Sequence, residues 1–153
     1  METRERLDTA VAKLAEAREA FDQATRALDP SQVDDGASWS VLDHVRHVSH
    51  SGAYPRWIQG LATDRSFKLP NFGGPAGYWA WTRQNALEVI DQQIEFARSL
   101  SDWQLSRRVA MGPREVDVID LLEGMAGHYL HHADVIRRLS GQSVGAPVGH
   151  PED

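Results

Sequence analysis

VIDLLEGMAGHYLHHADVIRRL, residues 118–139, is the stretch that decides the fold. On a helical wheel at about 100° per residue, with His128 at zero, Val118, Leu121, Met125, Ile136 and Leu139 fall between about 20° and 80°. His132 falls near 40°, within the same stripe, and His131 near −60°, on its flank. Asp117 is suited to cap the start of this helix, Gly141 to end it, and Arg137-Arg138 to match its dipole. The reading is an amphipathic helix whose buried face carries two imidazoles four residues apart. A buried imidazole needs partners for its ring nitrogens. A lone one ordinarily bonds to core neighbours. Two in register, with others available elsewhere, weigh equally toward a metal site.

Three further helices precede it. From about Thr3 to Leu28, Leu7, Val11, Leu14, Ala17, Phe21, Ala24 and Leu28 follow in steps of three or four, until Asp29-Pro30 stops the helix. A second helix starts at Ser40, with Asp43 completing a capping box, and continues to about Thr63. Pro55 is expected to kink it and Gly52 to soften the same place. The third runs from about Tyr78 to Leu100. Residues 64–77 form a loop rich in Gly and Pro, and residues 101–117 form a second long connection. No strand pattern is evident. These elements predict an all-α four-helix bundle with long crossover connections. Residues 1–140 form the one domain, and residues 141–153 a loosely held tail.

Composition narrows the function. The chain has 153 residues, a net charge of −6, a pI near 5.6 and no cysteine. An acidic chain argues against general nucleic-acid binding. No apolar run approaches a membrane span, and the charged N-terminus lacks the apolar stretch of a signal peptide, so the expected address is the cytoplasm. Without cysteine there is neither a disulfide nor a thiolate ligand.

Six of the seven histidines fall in two clusters, His44, His47 and His50 on the second helix and His128, His131 and His132 on the last. Imidazole is the commonest transition-metal ligand, and two helices can supply three. On the second helix the wheel alone does not choose. His44 lies near the centre of the apolar side with Val41, Val48 and Ile58, and His47 lies at its edge with Tyr54 and Leu61. Tyr54, Arg56, Trp57, Tyr78, Trp79 and Trp81 are candidates to line a pocket. Asp34-Asp35 and Asp91 read as solvated charges, and Glu123 points away from the histidines.

Trp39-Ser40-Val41-Leu42-Asp43-His44-Val45-Arg46-His47-Val48 resembles the W-S-x-x-[ED]-x-x-x-H-[LV] element of the DinB-like superfamily. His128-Tyr129-Leu130-His131-His132 resembles its H-x-x-x-H near the end of the last helix, and Leu100-Ser101-Asp102-Trp103-Gln104-Leu105 is similar to a stretch that precedes that helix. The resemblance implies a four-helix bundle with His47, His128 and His132 as ligands of one divalent ion, zinc or nickel, and often a homodimer. It implies a metal-dependent enzyme, with thiol-dependent S-transferases that use a low-molecular-weight thiol among the relatives. The alternative is a non-catalytic metal-binding or stress-response bundle. Many members carry an acidic residue shortly after the first ligand, where this chain has Ser49, His50 and Ser51.

Overall fold

Helix α1 (Thr3–Arg26) repeats every seven residues. Leu7, Leu14 and Phe21 form one buried row, and Ala10, Ala17 and Ala24 form another. Large residues beside small ones let neighbouring helices close in at shallow angles. The computed structural model describes residues 2–142. Most of the expected tail, residues 143–153, lies outside the described residues. Gln142 donates from its side-chain amide to the Ala24 carbonyl at 3.0 Å, tying the end of the described chain to α1.

α2 (Val41–Thr63) begins at the expected Ser40–Asp43 capping box and runs on as helix through Pro55. α3 (Pro75–Ser99) starts three residues before Tyr78, because Pro75 fits the first helical turn, where no N–H is needed. α2 and α3 meet closely at Gly52, where a Cβ would come within 2.7 Å of Val89 Cγ2. Asn85 spans the same seam, its amide donating to the carbonyl and the hydroxyl of buried Ser49 at 2.8 Å each.

The connection after α3 holds more structure than the sequence suggested. A short helix, α4 (Asp102–Leu105), is followed by an antiparallel hairpin of β1 (Arg108–Met111) and β2 (Arg114–Asp117). The absence of strands expected from the sequence is thereby corrected. All four β1 residues are exposed, so no apolar alternation marks the strand. The signal lay in the turn instead: Gly112 at φ 60°, followed by Pro113, allows a two-residue reversal.

α5 (Val118–Leu139) is capped by Asp117 as expected. Its buried face is not the stripe read from the wheel. Ile119, Leu122, Ala126, Tyr129, Ala133 and Ile136 are buried, whereas Leu121 and Leu139 are about half exposed. The core face centres about 110° round from His128, with His132 on its edge. The reason is close packing. Ala126 and Ala133 bring α5 against α1, the most extensive helix seam among the described residues. Arg6 locks that seam, donating to Asp117 at 2.7 and 3.2 Å and to Asp120 at 3.3 Å.

The helices are arranged in a ring, α1–α3–α2–α5. α1 packs on α5 and α3, and α2 on α3 and more sparingly on α5. Among the described residues, α1 with α2 and α3 with α5 share no comparable packing. The connections 27–40 and 100–117 therefore cross the bundle, as the all-α bundle with crossover connections requires. The loop 64–77 joins neighbours. No helix among the described residues is long and apolar enough to cross a membrane.

Candidate metal centre

α2 and α5 face each other along the least sealed seam of the ring, and the histidines stand there. His47 Nε2 lies 3.2 Å from His128 Nε2, which lies 3.2 Å from His132 Nε2. One ligand atom from each of the three falls within 4.8 Å of the others. A four-coordinate ion with bonds of about 2.0–2.1 Å separates its ligand nitrogens by about 3.3–3.4 Å, close to these spacings. A ring nitrogen carries one proton or one lone pair, so His128 Nε2 cannot donate to one neighbour and accept from the other. One cation takes all three lone pairs at once. The donor set and its spacing therefore fit a divalent transition ion.

His132 is fully buried. Its pKa is pushed down to about 2, first by burial and then by His128, His44, His47 and His131. It is neutral at ordinary pH, with a lone pair to give. His128 is half-buried and His47 exposed, so the trio runs from the core to the surface.

His44 is not one of the three. Its Nδ1 lies 2.8 Å from His132 Nδ1, on the far side of that ring. With the His132 lone pair on Nε2, its proton sits on Nδ1 and is donated to His44 Nδ1. His44 thus occupies the place where a carboxylate or carbonyl commonly orients a ligand histidine. Trp39 lies over both rings, with centroids 5.1 Å from His44 and 6.5 Å from His132. Trp39 holds a φ of 58°, unusual for a large side chain, directly before the Ser40 cap. His131, expected on the flank, is buried with its ring 5.8 Å from His132.

A cavity of about 630 Å³ opens beside His47, between Trp39 and Tyr54, with Arg46 and His50 in its lining. Burial and the nearby Arg46 hold His50 below its ordinary pKa of 6.5. The Tyr78 hydroxyl lies 3.4 Å from His50 Nε2. Of the six side chains expected to line a pocket, Tyr54 does so. Trp79 is in the core, and Trp57 stacks on Trp81. Arg56 donates to Asn85, and Tyr78 packs against Phe72. Sequence reading passed over Arg46 and His50 as cavity residues. Their spacing of four on one helix face was the available signal.

The crossed bundle has a solved counterpart. The fold is similar to that of YfiT from Bacillus subtilis, described as a probable metal-dependent hydrolase with an unusual four-helix bundle topology. The likeness covers 94% of this chain and 92% of YfiT with a TM-score of 0.57, at 20% sequence identity. No family model matches the chain, and no curated protein matches it. The bundle implied by the DinB-like resemblance is the bundle observed.

Proposed function

We propose that the protein is a metal-dependent enzyme in which His47, His128 and His132 hold one divalent transition ion. The observation that carries this reading is the convergence of three imidazoles between α2 and α5, with His128 Nε2 3.2 Å from both His47 Nε2 and His132 Nε2. Zinc or nickel suits an all-imidazole site, whereas magnesium and calcium prefer oxygen donors. His132 supplies the buried anchor, with its tautomer set by the Nδ1 bond to His44. His128 supplies the middle ligand and His47 the one nearest the cavity. Trp39 covers the inner rings from solvent.

An ion held by three neutral imidazoles keeps its full charge and lowers the pKa of a water or thiol that joins it. The finer reading is S-transfer from a low-molecular-weight thiol in the cytoplasm. Hydrolysis is the second reading, supported by the likeness of the fold to YfiT, a probable metal-dependent hydrolase.

Elemental analysis of metal-loaded protein is expected to find about one zinc or nickel per chain. Full stoichiometry in a His128→Ala, His132→Ala variant would refute the ligand set. A cobalt-substituted sample titrated with thiols and azide then separates enzyme from structural site: shifted visible bands support an exchangeable position. Bands that stay put leave a metal-stapled bundle without catalysis.

A further inference from the structure

One face of α2 floors the cavity. Asp43, His47, His50 and Tyr54 follow in steps of three or four, with Arg46 beside them. A bundle helix ordinarily turns an apolar face toward such a position. Here a guanidinium and two imidazoles stand between two half-exposed rings, Trp39 and Tyr54.

Arg46 is the informative residue. Arginine at a packed surface is ordinarily met by a carboxylate in a two-pronged bond. Arg46 is not. Its ion pair with Asp43 is 3.6 Å long, from Nη1 to Oδ1, beyond good hydrogen-bonding distance. Asp43 Oδ2 is committed elsewhere, accepting from the Ser40 N–H and the Ser40 hydroxyl at 3.1 Å each. Arg46 Nε is buried with no hydrogen-bond partner. The helix cap thus holds the neighbouring carboxylate back, and the guanidinium charge is turned on the cavity.

The geometry points to a substrate pocket for a small molecule with one carboxylate and a flat apolar body. The carboxylate sits on Arg46, the body lies between Trp39 and Tyr54, and the far end is turned toward His47. This rests on the metal-centre reading in placing the reacting end at His47. The binding of the carboxylate itself needs only Arg46. One guanidinium offers a single positive charge, part of which Asp43 at 3.6 Å already offsets, which favours a monocarboxylate over a phosphate dianion. The volume, about 630 Å³, suits a molecule of that size. The chain's net charge of −6 repels anions in general, so the attraction has to be local.

Benzoate and phenylacetate, with benzamide as the uncharged counterpart, are the probes. Tryptophan fluorescence and calorimetry read their binding to metal-loaded and chelator-treated protein. The acids are expected to bind about ten-fold more tightly than the amide, as a charge-assisted hydrogen bond warrants. Arg46→Gln should bring the acids down to the level of the amide, with amide binding, metal content and circular dichroism unchanged. Arg46→Lys should keep part of the preference. The preference should survive chelation. Equal binding of acid and amide, or no saturable binding at millimolar concentration, overturns the proposal. So does a preference that survives Arg46→Gln but disappears on chelation, since the anion then sits on the metal. Protein that takes up no metal yet shows the Arg46-dependent preference overturns the metal reading and leaves the pocket standing.

Discussion

α5 is shared by two seams built on opposite plans. Against α1 it presents alanine and aliphatic side chains, meets the rows of Leu7, Leu14 and Phe21 and of Ala10, Ala17 and Ala24, and is bolted by Arg6 to Asp117. Against α2 it presents His128 and His132, meets His44 and His47, and packs sparingly. Apolar burial drives the first seam. The second places polar nitrogens where they need an external partner or one another. One helix therefore gives its alanine face to stability and its edge to chemistry, and the tight seam fixes the position of the loose one.

The contrast can be broken most directly at the loose seam. His132→Ala is expected to abolish tight metal binding, read by competition with a chromogenic chelator. His50→Ala and His131→Ala should leave stoichiometry unchanged. A loss at His44→Ala as deep as that at His47→Ala would show that the wrong histidine of α2 has been assigned as ligand.

At the tight seam, Phe21→Ala should cost about 3–5 kcal/mol of stability, because a fully buried ring leaves a cavity. Metal stoichiometry below the melting transition should stay the same. Failure of metal binding in a folded Phe21→Ala protein would show that the two seams are not separable.

A finer cut falls on the bond between His44 and His132. His44→Phe should weaken metal binding about 10–100-fold while saturating metal still restores full occupancy, the usual cost of losing the group that orients a ligand. Nitrogen NMR should show the His132 proton on Nδ1 in loaded wild-type protein. Unchanged affinity would make His44 a packing residue.

Acid tests the polar bolts. Asp117, bonded by Arg6, and Asp22, bonded by Arg26, are both held below the ordinary aspartate value of 3.8. Folded values below the unfolded one mean that their stabilisation is complete above the unfolded pKa. It is lost as pH falls through the folded values. The gap in stability between wild type and Asp22→Asn should therefore be full at pH 7 and shrink below about pH 4. A constant gap would remove the ionic account.

The smallest effect concerns a third, uncovered surface. Ile58 and Leu61 are 68% and 74% exposed along one edge of α2. We propose that this edge pairs two copies of the chain. Light scattering should give about twice 17.1 kDa, and Ile58→Asp should halve it. A wild-type mass that stays at one chain across concentrations ends that proposal.

Much of this was legible in the sequence. The heptad rows of α1, the Ser40–Asp43 cap and the Asp117 cap each follow from local chemistry, and each stands in the structure. The three histidines singled out are brought together between α2 and α5. The hairpin after α4 went unread because β1 is exposed throughout and carries no burial alternation, which left the Gly112-Pro113 turn as its signal. The face of α5 was misjudged by about 60° because Leu121 and Met125 outweighed Ala126 and Ala133 on the wheel. Hydrophobic weight favours large side chains, whereas close helix packing selects small ones. Arg46 escaped notice because what sets it apart is a carboxylate held away from it by a helix cap, a relation that appears only in three dimensions.

The crossed connections have a consequence for how the chain is made. Arg6 and Asp117 are 111 residues apart, yet they close the principal seam. During synthesis α1 emerges first, meets α3 next, and closes on α5 only when that helix, more than a hundred residues downstream, has been made. Pairing so distant in sequence makes assembly slow and leaves that surface open to chaperones or to other nascent chains. Two of the three candidate ligand histidines lie on α5. On the metal reading, an ion bound between α2 and α5 would therefore report that α5 has been made and docked.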